Sequence, residues 1–386
     1  MSKYEDMTDN ELGAFLAKSH AEGAAATKEL WRRYKAGEGI PEPPVIEPPV
    51  VSPPSMSASE IIAYLEEVVP TEESLLAKIG ETQDMPRFGE QGFKDAWTLR
   101  DGQVHMGKRW NGLGDGPDDT NAYLRVPGKS GSYGYIDSLH IERCIIEEAC
   151  NWGARLHGVR QQLNVYNTLI RNIRREHGLY LSLCGGESDP FAVELYGLVF
   201  SNVASQSFQS VQRDQFWDKD ASGETPNPEA DFTPGGDILV GRCRTVNGGG
   251  PEGTRESFDF SFFRSRNGVY VTNQIIDDRA QAISRGFQMA QGYHGLDDDY
   301  ERLIDTDGFL WRSASSQQQA VSYQDMSVIR MRNGVIDVPE GSNAKITLDG
   351  CSEDFLFENV TSLRAPVRVV IDGVDAGTVD ELSGAK

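Results

Sequence analysis

The sequence contains no long hydrophobic run of the kind that crosses a membrane or directs secretion. The chain begins MSKYED, and no apolar segment follows these residues. A spanning helix needs about 20 consecutive apolar residues, and a signal peptide needs a shorter apolar core behind a basic start. We therefore expect no membrane insertion, no signal peptide, and a protein that leaves its cell by a route other than secretion.

Basic residues are in the minority. The 386 residues include 37 Lys and Arg against 59 Asp and Glu, which gives a formal net charge of −22. Nucleic-acid-binding proteins neutralise phosphates with clustered Lys and Arg, so this composition argues against a nucleic-acid partner. A solvated acidic surface is the simpler interpretation, and carboxylates that bind cations are the alternative.

Cysteine and histidine are scarce and are not spaced as metal ligands. The five cysteines form no CxxC pair, and several lie within apolar runs, so we expect free thiols. The histidines show no HxxxH spacing, and no GxSxG, Walker or GxGxxG loop is present. We predict neither a metal nor a cofactor.

The sequence does contain a repeated unit of three short apolar runs, clearest between residues 138 and 211. In chain order the runs are SLHI (138–141), RCII (143–146), GARL (153–156), LNVYN (163–167), LIRNI (169–173), HGLYL (177–181), VELYG (193–197), LVFSNV (198–203) and SF (207–208). Units of this kind cannot bury an apolar face alone, so their repetition indicates a solenoid in which neighbouring units stack.

Two asparagines mark a corner of the repeat. Asn172 and Asn202 each follow a short apolar group in successive units. Asn tolerates the left-handed backbone conformation that tight corners require, and its side chain can bond to the backbone around the bend. We therefore predict that these two side chains stack on each other.

This pattern resembles the right-handed parallel β-helix family, the pectate-lyase-like architecture. The resemblance implies an all-β fold, with a parallel β-helix over residues 87–380 and a polar C-terminal tail over 381–386. An ordinary β-sandwich is the alternative, because it also has short strands and frequent turns. GDGPDDTNA at 114–122 resembles the Gly-Asp-Gly…Asp-Asp-Thr motif of phage tailspikes, although its spacer is one residue shorter and YLRVPG replaces the helix that usually follows.

Residues 1–40 are predicted to form a helical anchoring arm. Thr8 to Glu11 make a capping box at its start. The apolar side chains that we expect to bind a partner are Leu12, Phe15, Leu16, Leu30, Trp31 and Tyr34. A free helix exposing these rings would be poorly soluble, so the arm is expected to pack on the body, on sibling subunits or on a larger assembly.

A polyproline tether is predicted over residues 41–55. Seven of the fourteen residues between 41 and 54 are proline. Such a segment is extended and semi-rigid, and it reaches roughly 40 Å at about 3.1 Å per residue.

Residues 56–86 carry the signals of two short helices. Ser57 with Glu60 starts the first, which stops before Pro70, and Thr71 starts the second, which Gly80 ends. We predict a small adaptor or a cap for one end of the solenoid, where unpaired strand edges need covering.

After residue 211 the units continue with insertions. Residues 258–263 and 267–271 are predicted to form one unit, and residues 273–319 are predicted to be long and less regular. The segment from Asp372 onwards is predicted to be a polar tail.

The resemblance also implies where catalytic residues would lie, because glycan-cleaving enzymes of this architecture use carboxylates or a basic residue along the outer groove. A glycoside hydrolase needs two carboxyls, about 5–5.5 Å apart for retention or about 6.5–9.5 Å for inversion. The candidate pairs are Asp214 with Asp218, Asp277 with Asp278, and Glu256 with Asp259. On a strand, Asp277 and Asp278 would face opposite sides, and Asp259 would point outwards to solvent if its neighbours Phe258 and Phe260 face the core.

Two functions from different classes follow. The first is a phage-type virion structural protein: a projecting β-helix, either a head decoration, a fibre or a tailspike-like body. It would be made in the host cytoplasm, attached to other virion proteins through residues 1–55, and homo-oligomeric, with a trimer as one option. The alternative is a polysaccharide depolymerase, a lyase or a glycoside hydrolase, that acts on a host surface glycan. Fold alone does not decide between them, so the enzyme question stays open, and we favour the structural role.

Overall fold

The computed structural model describes the part of the chain in which the predicted units lie. The described residues are 56–85, 97–98, 103–112, 122–125, 136–182, 184–185, 191–211, 236–247, 258–265, 268–278, 286–292, 302–314 and 321–383. The predicted arm, the tether and all but the last residue of the 114–122 motif lie outside these ranges.

Short strands make up most of the described chain. They are β1 (Gln83–Asp84), β2 (Trp97–Thr98), β3 (Gln103–Met106), β4 (Lys108–Asn111), β5 (Ala122–Arg125), β6 (Ile136–Glu142), β7 (Ile145–Glu147), β8 (Trp152–His157), β9 (Val159–Tyr166), β10 (Leu169–Ile173), β11 (Leu179–Ser182), β12 (Phe191–Tyr196), β13 (Val199–Val203), β14 (Phe208–Val211), β15 (Asp237–Gly241), β16 (Arg244–Val246), β17 (Phe258–Ser265), β18 (Val269–Asp278), β19 (Gly286–Gly292), β20 (Leu303–Ser313), β21 (Val321–Gln324), β22 (Val328–Asp337), β23 (Lys345–Asp349), β24 (Phe355–Leu363), β25 (Arg368–Ile371) and β26 (Val374–Thr378). The helices are α1 (Ala58–Val68), α2 (Glu72–Ile79) and α3 (Val379–Ser383).

The strands form two long sheets, one of 15 and one of 11 strands. Each strand of a unit pairs in parallel with the matching strand of the next unit, as β6 does with β9, β7 with β10 and β8 with β11. Among the described pairs only β25 and β26 are antiparallel. The fold is therefore all-β with long parallel sheets, which is consistent with a solenoid. A β-sandwich, whose sheets are antiparallel, does not fit this pairing.

One corner recurs in every unit of the larger sheet. The residue at this corner has a positive φ, between 45° and 72°, at Gly107, Arg143, Asn167, Gly197, Arg242, Asn273, Gly308, Asn333 and Asn359. The strand registers place these residues in one row, which we call the corner row. Adjacent corners are linked through the backbone, because the N–H of Gly197 donates to the carbonyl of Gly241, the residue directly before Arg242, at 2.9 Å.

A second corner confirms the predicted asparagine stack. Nδ2 of Asn202 donates to Oδ1 of Asn172 at 3.1 Å, and Nδ2 of Asn172 donates to Oε1 of Glu148 at 2.7 Å. All three residues have a φ close to 55°. The side chains thus bond along the stack while the backbone turns.

The interior between the sheets is filled by rows of apolar side chains. One such row contains Leu139, Leu163, Val193, Ile238, Val269, Ile304 and Ile329, each at most 2% exposed. Larger rings fill other layers, and the ring centroids of Phe309 and Trp311 are 4.3 Å apart. A Cβ added at Gly334 would lie 2.0 Å from Cζ of Phe309, so glycine is required where that ring lies. Burial of apolar surface stabilises the folded state by about 25 cal/mol per Å², and this is the main contribution that holds such units together.

The two predicted helices after the tether are confirmed with their ends. Ser57 accepts a hydrogen bond from the N–H of Glu60, while the Glu60 carboxylate accepts one from the N–H of Ser57. Thr71 and Ser74 make the same reciprocal pair at the start of α2, and Gly80 ends it with a φ of 68°. These caps satisfy backbone donors that a helix start would otherwise leave unpaired.

The helix pair, which we call the helix strap (residues 58–79), lies along the outer face of the larger sheet and does not cap an end. In α1, Ile61 and Leu65 pack with Ile275, Leu310 and Val335. In α2, Leu75 and Ile79 pack with Ile145, Leu169 and Val199. The strand registers place all six sheet residues in one row, with Arg244 between Val199 and Ile275. The strap therefore covers an apolar stripe that crosses several units.

The direction of the strap is also defined. Met56 packs in the same cluster as Leu363 of β24, in the last unit, whereas α2 lies over β10 and β13 near the first units. The described chain therefore starts over the later strands β18, β20 and β22 and runs back to β13 and β10 before it enters the sheets.

Three predictions for the later chain are wrong. Residues 258–271 do not form one unit, because β17 pairs with β14 as a third strand while β18 pairs with β15 as a first strand. Within residues 273–319, the described residues lie almost entirely in β18, β19 and β20, so the expectation of less regular structure is wrong for these residues. The predicted polar tail forms β26 and α3, and Ser383 of α3 donates to the carbonyl of Val360 at 2.8 Å.

Candidate functional site

The structure tests only part of the predicted site. Asp214, Asp218, Glu256 and the six apolar residues of the arm lie outside the described residues. Asp259 is described, and the expectation that it points to solvent is wrong, because its side chain is fully buried. Its Oδ1 accepts hydrogen bonds from Oγ of Ser207 at 2.8 Å and from the N–H of Ser207 at 3.3 Å. The polar neighbour explains how a carboxyl is tolerated inside.

Asp277 and Asp278 differ in environment, as expected for neighbours on one strand. Asp277 is partly exposed and accepts a hydrogen bond from Arg312 at 3.3 Å. Asp278 is buried, with 4% of its surface exposed. As a pair facing one substrate they are therefore unsuitable.

A different group of side chains meets on the outer surface of β6, β9, β12 and β18. We call it the tyrosine–carboxylate face, and its members are His140, Glu142, Tyr166, Glu194, Tyr196 and Tyr270. In register, Glu142 lies beside Tyr166 and Tyr166 beside Tyr196, while His140 lies in the row of Glu194 and Tyr270. Apolar core residues alternate with them along the strands, as Ile141 does between His140 and Glu142, and Glu142 itself is only 8% exposed.

Tyr166 lies at the centre of this face. Its hydroxyl donates to Oε2 of Glu194, and its ring meets the ring of His140 edge-on with centroids 5.4 Å apart. Nε2 of His140 lies 3.1 Å from Oε2 of Glu142. Burial, followed by the charge of Glu194 and that of Glu142, raises the pKa of Tyr166 above its ordinary value. The phenol is therefore protonated at neutral pH and lies between two carboxylates.

Such a face suits a ligand rich in hydroxyl groups. Carboxylate oxygens accept hydrogen bonds from hydroxyls, and tyrosine offers an apolar ring with a polar tip. The sequence contained a signal for it, because the runs HIE, NVY and ELY each end directly before a corner residue, at Arg143, Asn167 and Gly197. If the three runs are aligned on that corner residue, their last residues, Glu142, Tyr166 and Tyr196, fall in one outer row.

Two clusters of ion pairs fix the helix strap to the sheet. In the first, the carboxylate of Glu66 accepts from Arg244 at 2.7 Å and from Arg312 at 2.9 Å. Arg244 is nearly buried, and its Nε also donates to the carbonyl of Pro70 at 2.9 Å. This arginine thus binds the turn between α1 and α2 at the one charged position of the apolar row.

The second cluster lies under α2. Arg171 donates to Glu72 of the helix at 2.7 Å and to Glu147 of the sheet at 2.8 Å. Arg109 also donates to Glu147 at 2.6 Å, and the Glu147 side chain is only 2% exposed. Buried carboxylates of this kind are retained only when they are paired, so the cluster acts as a unit.

Other site classes have little support within the described ranges. No group of three or more His, Cys, Asp and Glu side chains there is placed to hold a metal ion. No described helix has the length and apolar character of a membrane span. All five cysteines are free thiols, and burial raises the pKa of Cys144 to about 11 and that of Cys184 to about 12. Thiols with a raised pKa are poor nucleophiles.

The chain was compared with family models, curated proteins and solved structures. No family model, no curated protein and no solved structure matches the chain.

The attachment of the strap should depend on pH through Glu66. Burial raises the pKa of this carboxyl, but the hydrogen bonds and charges of Arg244 and Arg312 outweigh it and lower the pKa overall. A carboxyl with a lowered pKa stabilises the fold above its unfolded pKa of about 4.3 and loses that effect as the pH falls through the folded value. We expect Glu66→Gln to lower the thermal midpoint at pH 7 and to differ less from the unsubstituted protein at pH 3.

The exposed neighbour Glu67 offers a matched control, since Glu67→Gln removes the same charge from the same helix. Equal midpoint losses for the two variants at pH 7, or a Glu66→Gln loss that is the same at pH 3, would contradict the ion-pair interpretation.

Proposed function

We propose that this chain is a phage-type virion structural protein, a right-handed parallel β-helix of the pectate-lyase-like kind that projects from the head or tail. Residues 1–55 attach it to other virion proteins, and copies associate as a homo-oligomer, such as a trimer. The long parallel sheets support this proposal, because stacked units form a stiff body of the kind that a projection requires.

The observation that carries the proposal is the attachment of the helix strap. A projecting protein has to transmit load from its point of attachment to its whole body. The strap begins at Ala58, close to the end of the tether, and it is joined to the sheet by the apolar row and by both ion-pair clusters. Because these contacts span several units, a force applied at residue 56 is distributed over those units.

The position of residue 56 adds an orientation to the proposal. Met56 packs in the apolar cluster of α1, which lies over β18, β20 and β22 in the later units. The first units would then point away from the particle.

Deletion of residues 1–55 tests the proposal. We expect the shortened protein to keep its β-rich circular dichroism and its thermal midpoint, because every described contact of the strap is retained. We also expect it to fail to join its parent particle, measured as the copy number per particle on quantitative blots.

Two further variants separate anchoring from folding. Trp31→Ser in the full chain should also reduce incorporation, whereas deletion of residues 1–80, which removes the strap, should lower the midpoint. Normal incorporation of the protein that lacks residues 1–55 would refute the anchor.

The second candidate function is a polysaccharide depolymerase, a lyase or a glycoside hydrolase, and the tyrosine–carboxylate face favours it. Glu142 and Glu194 flank the protonated Tyr166, with His140 beside them. Two carboxyl groups on one surface are the components of acid–base cleavage of glycosidic bonds.

Incubation with host surface polysaccharide tests this candidate through new reducing ends for a hydrolase or unsaturated ends for a lyase. If the chain is a depolymerase, Glu142→Gln and Glu194→Gln should each lower the rate about 100-fold or more. Glu358→Gln is the control, because Glu358 is exposed in the row of Glu142 but in the last unit. The absence of products, or an equal loss in all three variants, would exclude the enzyme.

A further inference from the structure

A cleft of about 360 Å³ lies where the helix strap passes the corner row. The turn between α1 and α2 and the start of α2 form one wall. The other side is formed by Asn167, Tyr196, Gly197 and Arg242, and Lys78 of α2 also lines the cleft. The volume is within the range of small-molecule sites, about 300–1,000 Å³.

Arg242 is an unusual residue for its position. Most members of the corner row are Asn or Gly, which adopt a positive φ with little strain, but Arg242 adopts a φ of 50° there. The other arginine of the row, Arg143, has a neighbouring acid, because its Nε lies 3.7 Å from Glu142. A large cation held in an unfavourable backbone conformation indicates a function for its side chain.

The contacts of Arg242 leave its charge available. Its guanidinium lies over the ring of Tyr196, 5.6 Å from the centroid. Within the described part of the chain it forms no ion pair with a carboxylate, and its Nε is buried without a hydrogen-bond partner. A guanidinium stacked on a ring keeps its planar N–H donors free for an oxyanion.

A second cation faces the same cleft. Nζ of Lys78 donates to Oδ1 of Asn167 at 2.8 Å and forms no ion pair with a described carboxylate. Of the two acids that line the cleft, Glu66 is held by Arg244 and Arg312, and Glu67 is exposed. Among the described residues, two cations without an ion pair therefore line the cleft together with one acid that forms none, Glu67, in a chain whose net charge is −22.

We propose that this cleft binds a small ligand with an oxyanion group, a carboxylate or a phosphate on a body of about the size of a sugar. Arg242 and Lys78 bind the oxyanion, because the guanidinium fork matches two oxygens and the ammonium adds a point charge. Tyr196 forms the adjoining wall. The site is separate from the tyrosine–carboxylate face except for Tyr196, and it does not depend on the virion role.

Calorimetric titration of the full-length protein at low salt tests the site. The probes are glucuronate, glucose 6-phosphate, inorganic phosphate and, as the neutral control, glucose. We expect glucuronate or glucose 6-phosphate to bind with a millimolar or lower Kd, and the better of the two identifies the anionic group. Glucose should not bind, and the affinity should fall as salt is added.

Arg242→Asn is the decisive variant, because Asn167 and Asn273 already occupy the corner row in other units. It should keep the thermal midpoint while the affinity falls about tenfold or more, and Lys78→Gln should weaken binding in the same direction. Arg330→Gln is the control, since Arg330 is exposed on β22 and the charge change is equal. The site is refuted if no charged probe binds at millimolar concentration, if Arg242→Asn binds as the unsubstituted protein does, or if Arg330→Gln loses as much.

Discussion

The whole body depends on one repeated backbone corner. From Gly107 to Asn359, each unit turns through a single residue with a positive φ, and these residues lie in register. A shift of one residue would move every inward side chain of a strand to the outer face. The corner row therefore fixes which side chains form the apolar interior and which form the outer rows.

Because the outer rows are in register, each row can carry side chains of one kind, either apolar or polar, along the stack. The row from Ile145 to Val335 is apolar and is covered by the helix strap. The rows on the other side of the corner carry the tyrosines and carboxylates around Tyr166. The cleft lies where the strap meets the corner row, so Arg242 and Lys78 are brought together by two elements far apart in sequence. The same constraint thus produces the body, its attachment and both candidate sites.

Much of the fold could be predicted from local sequence. The three-run units, the helix caps at Ser57 and Thr71, and the stack of Asn172 on Asn202 all follow from residue types at short spacing. In the later units the corner lies inside a continuous strand, at Asn273 in β18 and Gly308 in β20, so the repeat is less visible in the sequence. For this reason the sequence alone predicts a long and less regular stretch over residues 273–319.

The candidate sites were harder to predict because they depend on contacts between distant residues. Asp259 alternates with apolar neighbours, as a solvent-facing residue would, but it is buried and accepts hydrogen bonds from Ser207, which is distant in sequence. Glu142 and Glu194 meet at Tyr166 only when the units are in register. The location of the strap also depends on partners far along the chain, since Glu66 binds Arg244 and Arg312.

The most direct test of this account is hydrogen exchange of the full-length protein, followed by mass spectrometry for the helix strap and for the strands beneath it. A strap that is fixed to the sheet should exchange its backbone amides over 58–79 as slowly as β18 and β20 do. Leu65→Ala should speed exchange in the strap more than in those strands, because Leu65 is fully buried where the strap packs on Ile275 and Leu310. Exchange of the strap at the rate of an exposed helix, with slow exchange in β18 and β20, would show that it is not fixed and would contradict the account.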